Sequence, residues 1–209
     1  MADSTSSGPP AYCNYISGYG EGACYQGVIQ YGDNGAGDTP ELLVNNAGGQ
    51  FTWQSTRQVL FQGNASIEFA VHAGGGATLT ASKGAQVGSA SDNSLAHQYI
   101  TGVQVGVAVI TVPKRQMTWT GVAIKFYRAG VLREAIPIPP DCPLIADTYS
   151  ASGTAFRALQ HSPTASDNDA VTITGVISLQ GDRGDPNFEF SPSDFYAKIL
   201  VFTSSCNPR

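Results

Sequence analysis

Charged residues are scarce in this chain. Lys, Arg, Asp and Glu make up 13% of its 209 residues, about half the roughly 25% of an average soluble domain, so hydroxyls and amides must cover much of its surface. The eleven basic residues are scattered, Lys114–Arg115 being the one adjacent pair, and the formal net charge is −5. Binding to nucleic acid needs a concentrated cationic face that displaces counterions, and none is written here. Long apolar runs are missing too. The longest, VGVAVITV from Val105 to Val112, is strand-sized and far short of a bilayer span, so a soluble protein without a membrane segment is expected. The opening MADSTSSGPP has neither the basic nor the apolar region of a secretory signal and reads as a short disordered leader.

Catalytic and metal-binding patterns are also lacking. The three histidines, His72, His97 and His161, fall in separate segments, none at a spacing that suggests a facial metal site. No GxSxG, HExxH or phosphate loop occurs. A glycosidase pair of carboxylates converges in space rather than along the chain; of Glu21, Glu41, Glu68, Glu134 and Glu189, Glu68 and Glu134 fall in strand patterns. The oxygen-rich DNGAGD at 33–38 and SDND at 166–169 depart from the EF-hand order and read as Asx turns. RGD at 183–185 sits in a turn-forming context. The expectation is a protein that is not an enzyme and has no cofactor and no metal.

What is present is β structure. Ile67, Phe69 and Val71 share one face of SIEFAVH and Glu68 the other, the period-two signature of a half-buried strand. Further strands are predicted at Val28–Tyr31, Gln50–Trp53, Gln58–Phe61, Ala77–Ala81, Ile100–Val112, Thr118–Tyr127, Val131–Ile138, Val171–Leu179 and Phe195–Thr203. Turn chemistry separates them, as in QGN at 62–64, RAG at 128–130 and SDN at 91–93. Short strands at this spacing indicate an all-β, two-sheet sandwich, with a jelly roll as the leading architecture. YAKILVF in the last strand is apolar on both faces apart from Lys198. That predicts a central strand, or an edge strand covered by a neighbouring subunit.

Short segments recur in one order: FTW at 51–53 and MTW at 117–119, Phe61 and Phe126 before a glycine, TAS at 80–82 and SAS at 150–152, ASDN at 90–93 and 165–168, ITGV at 100–103 and 173–176. They suggest a pseudo-duplicated unit of about four strands, with repeats near 51–110 and 117–180. Four strands seldom fold alone, so the two units would share one core. The predicted organisation is an arm over 1–27, partly disordered, and one sandwich domain over 28–209.

That arm holds Cys13, Cys24 and the tyrosines Tyr12, Tyr15, Tyr19 and Tyr25. The four cysteines lack the close CxxC pairs of zinc and redox sites. Two staples, Cys13 to Cys24 and Cys142 to Cys206, are expected among three possible pairings; in a reducing compartment the same residues would be free thiols. The arm tyrosines, with Trp53 and Trp119 at matching repeat positions, are the candidates for assembly or ligand contact. Their rings either present contact area with a polar tip or pack on the sandwich.

In general character, from the low-charge Gly/Thr/Ser surface, the duplicated β unit and the aromatic arm, the chain resembles the jelly-roll structural proteins of bacteriophages and other viruses. The resemblance implies a decoration, capsid or tail protein found in virions or outside cells. Its partners would be other copies of itself and virion or surface proteins. An arm with few aliphatic residues gains order only by lying on a surface, so a homo-oligomer is expected. The other class is a carbohydrate-binding lectin or adhesin domain in which Trp53, Trp119 and the arm tyrosines stack on sugars.

Overall fold

The computed structural model describes residues 13–33, 37–45, 51–55, 64–93, 95–109, 115–147, 155–181, 195–205 and 207–208, with side chains described for 13–29, 64–85, 87–93, 95–109, 116–147, 156–178 and 196–205. Tyr12, Cys206, the predicted strand Gln58–Phe61 and RGD at 183–185 lie outside these residues, as does the side chain of Trp53.

In chain order the strands are β1 (Tyr15–Ile16), β2 (Tyr25–Asp33), β3 (Gly37–Asn45), β4 (Phe51–Ser55), β5 (Asn64–Val71), β6 (Ala77–Lys83), β7 (Gln86–Asp92) and β8 (Leu95–Ala96). Then follow β9 (Ile100–Val109), β10 (Arg115–Arg128), β11 (Val131–Pro137), β12 (Leu144–Asp147), β13 (Ala155–His161), β14 (Ala170–Gly181), β15 (Phe195–Thr203) and β16 (Asn207–Pro208). No α-helix occurs among the described residues.

Two seven-stranded antiparallel sheets face each other. The first runs β1-β13-β9-β15-β2-β3-β4; the second runs β11-β10-β14-β5-β6-β7, with β12 also on β10. Strands β11 and β12 pair with the Ala123–Arg128 and Gln116–Trp119 stretches of β10 and together form one interrupted strand. Pro139 and Pro140 stand at the interruption, where a missing N–H and a fixed φ end strand pairing. With that strand counted once, the pairing is nested. β2 pairs with β15, β5 with β14, β9 with β13, and β10 with β11 and β12. Early strands therefore pair with late ones, and successive pairs alternate between the sheets. This is the strand order of a jelly roll. The β3–β4 and β6–β7 hairpins widen the two sheets on one flank.

The core fills the space between the sheets. Val103, Val105, Val107 and Val109 of β9 belong to the buried cluster that also includes Phe69, Ile124, Phe126 and Ile173. Alternation in β5 sends Ala65, Ile67, Phe69 and Val71 inward and leaves Asn64, Ser66 and Glu68 exposed. β9 is buried on both faces apart from Thr101, which explains its unbroken apolar run. The last long strand, β15, lies centrally between β9 and β2, the first of the two placements its two-sided hydrophobicity allows.

Several sequence expectations change. Strands β3, β7, β12 and β13 were not anticipated; GSAS in β7 and PELL in β3 carry weak β-formers, and pairing with neighbours overrides that local preference. The arm boundary at residue 27 falls inside β2. The recurring segments occupy unlike settings: FTW forms part of a five-residue edge strand, MTW part of a fourteen-residue strand inside the other sheet. ITGV opens β9 in one case and lies within β14 in the other. The nested pairing organises the described strands.

Candidate functional site

The arm is pinned at its start to both sheets. Cys13 is disulfide-bonded to Cys142 across 129 residues of sequence, with a Cα–Cα distance of 5.4 Å. Two residues on, Tyr15 and Ile16 pair with Leu159 and Ala158 at the edge of the first sheet. The Tyr15 hydroxyl donates to the Pro143 carbonyl at 2.8 Å, beside β12 of the second sheet. One flank of the sandwich is thus closed by a covalent bond, a ladder step and a hydrogen bond within four residues. The Arg157 guanidinium lies 4.7 Å from the Tyr15 ring centre. Burial raises the Tyr15 ionisation above its ordinary value, with the Arg157 charge opposing it.

The expected staples are therefore corrected. Cys13 joins Cys142 rather than Cys24, which also removes Cys142 from a bond to Cys206. The cause is the path of the arm: pairing with β13 carries Cys13 to the broken strand, while Cys24 sits across the sheet, where its N–H donates to the Val201 carbonyl at 3.0 Å. Cys24 is itself disulfide-bonded, and Cys206 lies outside the described residues.

Between those points the arm meets the outer face of the first sheet. The Gly20 N–H donates to Gln104 Oε1 at 2.8 Å, and Gln104 Nε2 donates to Gln160 Oε1 at 3.0 Å. Tyr19 packs edge-on to Phe156, ring centres 5.0 Å apart at 84°, and Lys198 Nζ lies 4.9 Å from the Tyr19 ring centre. Gly106 makes this approach possible, since a Cβ there would lie 2.6 Å from the Tyr19 hydroxyl and 2.5 Å from the Ala158 Cβ. The Tyr19 hydroxyl is buried and has no hydrogen-bond partner. Burial pushes its ionisation well above 10.0, and neighbouring Tyr196 adds to the shift. Burial likewise lowers the Lys198 value.

Tyr25 and Trp119 are core residues, 0% and 2% exposed, so neither can stack on an outside partner. The Tyr25 oxygen lies 2.9 Å from His97 Nδ1 and accepts from the Gly76 N–H at 3.2 Å. His97 Nε2 lies 2.9 Å from the Asp169 carbonyl. A carbonyl only accepts, so Nε2 carries a proton toward Asp169. The single Tyr25 hydroxyl proton faces two acceptors, the Leu95 carbonyl at 3.2 Å and, in neutral His97, Nδ1. The Asp169 carboxylate accepts from the Ala129 N–H at 3.0 Å and pairs with Arg128 at 3.4 Å. This network fastens the ends of several strands and uses both imidazole nitrogens. Asn168 Nδ2 donates to the Ala165 carbonyl at 2.8 Å, the side-chain-to-backbone bonding expected of SDND. Among the described residues no three His, Cys, Asp or Glu side chains converge on a metal position.

Trp119 fills the space left by Gly175, where a Cβ would collide with the indole. Its Nε1 is buried without a partner. Of the six aromatic contact candidates, Tyr15 and Tyr19 fasten the arm, Tyr25 and Trp119 lie in the core, and Tyr12 and the Trp53 side chain lie outside the described residues.

The feature that sequence reasoning missed is the edge made by β11 and β12. Among the described residues the exposed large hydrophobics are Val131 (61%), Leu132 (50%), Ile145 (37%) and Val87 (51%); the first three belong to this edge. Ala135 and Pro137 are exposed between them. Register opposite Tyr127, Lys125, Ala123 and Thr118 puts Leu132, Ala135, Pro137 and Ile145 on one outer face. The sequence signal was present in VLREAIPIPP, but a half-buried strand has the same apolar content.

No protein-family model and no curated protein matches the chain. Among solved structures it is similar to the infectious bursal disease virus VP2 subviral particle, at 9% identity, covering 88% of this chain and 73% of that one, with a TM-score of 0.19. A likeness at that score says nothing of what this chain binds or builds.

Proposed function

We propose that this chain is a non-enzymatic structural protein of a virion, a decoration, capsid or tail component of a bacteriophage, acting by protein–protein assembly. The observation that carries the reading is the clasped flank with its apolar edge. A disulfide ties Cys13 to the broken strand, and that strand holds Val131, Leu132 and Ile145 in solvent. A rigid surface that keeps apolar side chains exposed is suited to a partner, since solvated aliphatic groups gain free energy when covered. The partners in this reading are copies of the same chain and neighbouring virion proteins, without nucleic acid or membrane. Buried disulfides suit a virion or extracellular location, where they persist. The lectin reading loses Tyr25 and Trp119 as stacking platforms, because both rings are buried.

The test is light scattering on the full chain and on the triple variant Val131→Ser, Leu132→Ser, Ile145→Ser. The expected result is an oligomer that the variant reduces to monomers with an unchanged circular dichroism spectrum. A monomeric full chain that also fails to co-purify with particles from its host would sink the proposal.

A further inference from the structure

The outer face of the second sheet carries a groove of about 430 Å³, away from the arm and the apolar edge. We infer that this groove binds a saccharide, held by Glu68 and the hydroxyls around it. The inference does not rest on the assembly reading.

Strands β14, β5 and β6 lie side by side there. Register sets Glu68 between Thr174 and Thr80 in one row, and Ser66 between Val176 and Ser82 in the next. All of these residues line the groove. Directly opposed side chains on neighbouring strands have Cβ atoms about 5 Å apart, and successive same-face residues along a strand lie about 7 Å apart. Four hydroxyls therefore surround one carboxylate on an area the size of a sugar ring.

The concavity has a local cause. The pairing of β10 with β14 shifts register between Thr120 and Ala123, and the bulge contains Gly121 at φ +60°. Glycine adopts that left-handed backbone without strain and projects no side chain. Gly175 of β14 borders the groove too, but the space of its missing side chain lies on the inner side, where the Trp119 indole sits; the depression is made by Gly121. The sheet surface is consequently lowered next to Thr174 and Glu68.

Glu68 points outward from β5, which lies between β14 and β6. Among the described residues no hydrogen bond or ion pair engages its carboxylate, and the ion pairs there involve Arg128 with Asp167 and Asp169. Lys125 stands opposite Thr172, one row away along the strands and two strands across from Glu68. An unengaged carboxylate offers about four acceptor positions, while Ser and Thr hydroxyls both donate and accept. A neutral polyol complements that set: its hydroxyls donate to Glu68 and exchange bonds with Thr80, Thr174, Ser66 and Ser82. A single carboxylate is too few for a divalent cation, which takes six or more oxygens. The volume lies in the lower part of the range of small-ligand clefts, suited to one or two sugar rings. No aromatic side chain lines the groove, so single-site affinity falls in the millimolar range.

The experiment is a titration of the isotope-labelled full chain, followed by backbone amide NMR, with methyl glycosides of glucose, galactose and mannose and with N-acetylglucosamine. Expected are saturable shifts at Ser66, Glu68, Thr80 and Thr174 for at least one probe, at concentrations of roughly 1 to 50 mM. Glu68→Ala and Thr80→Val are expected to weaken that probe about tenfold or more. Both positions lie on the outer face, and an unchanged amide spectrum elsewhere verifies folding. The Val131→Ser, Leu132→Ser pair should leave binding intact, so a failed assembly reading and a failed groove are told apart. No shifts with any probe, shifts centred elsewhere, or binding unaffected by Glu68→Ala would overturn the inference.

Discussion

Replacing Cys13 and Cys142 together by alanine removes the clasp without placing a new polar group in two sites that are each 2% exposed. In the chain-entropy picture a bridge stabilises by restricting the unfolded chain, and its effect grows with the logarithm of the loop it closes. A staple over the eleven-residue step from Cys13 to Cys24 would contribute about 2.7 kcal/mol. The observed bridge spans 129 residues, for which the same relation gives about 5 kcal/mol. That is a ceiling, because the separate disulfide at Cys24 already restricts part of the unfolded chain. A loss of about 3 to 5 kcal/mol is expected, a large share of a typical domain's stability. For a chain of this size it lowers Tm by about 6 to 20 °C. Scanning calorimetry measures the shift, and limited proteolysis should show earlier cleavage in the arm, since a two-residue ladder cannot hold it alone. A Tm change below about 2 °C, or native peptide maps linking Cys13 to Cys24, would refute the long-range clasp.

Gly106→Ala places a methyl 2.5 Å from the Ala158 Cβ and 2.6 Å from the Tyr19 hydroxyl, so either β9 shifts or the arm lifts. The expected cost is about 1 to 3 kcal/mol, read by denaturant unfolding together with faster proteolysis near Tyr19; an unaffected arm would contradict the packing. Burial lowers the His161 ionisation from 6.5, with Glu134 partly opposing it. The unfolded chain therefore takes up that proton first as pH falls, and stability present above about 6.5 declines below it. His161→Gln should flatten the Tm-against-pH curve between pH 7 and 5, and parallel curves would count against this. For Tyr19 the sign reverses: its raised ionisation means stability present below about 10 is lost as pH climbs further. Tyr19→Phe should remove that alkaline loss and, because the hydroxyl is buried without a partner, leave neutral-pH stability unchanged or slightly higher. A clear destabilisation at pH 7 would mean the hydroxyl is satisfied after all.

Much of the fold could be read from the chain because period-two alternation is a local property. SIEFAVH shows which face of β5 is inward, and YAKILVF shows that β15 is covered on both faces, either as a central strand or as an edge under a neighbouring subunit, since each side chain's environment follows from its neighbours two residues away. The sheet order makes it central. Weakly patterned strands such as β7 and β3 left no such trace; backbone pairing with adjacent strands makes them. The candidate sites were less legible. An aromatic residue reads the same whether it fills the core, as Trp119 does beside Gly175, or fastens an arm, as Tyr19 does over Gly106.

By itself the sequence determined that the chain is all-β and which face of a strand such as β5 turns inward, because composition and short-range periodicity carry that information. Only the tertiary structure decided that Cys13 meets Cys142, which aromatic rings are buried, and that Glu68 has hydroxyls for neighbours across both adjoining strands. Those are relations between residues far apart in sequence, such as Cys13 with Cys142 or Glu68 with Thr174. They are settled by the nested strand order and its register, which bring distant segments together according to the burial and hydrogen bonding of the whole chain.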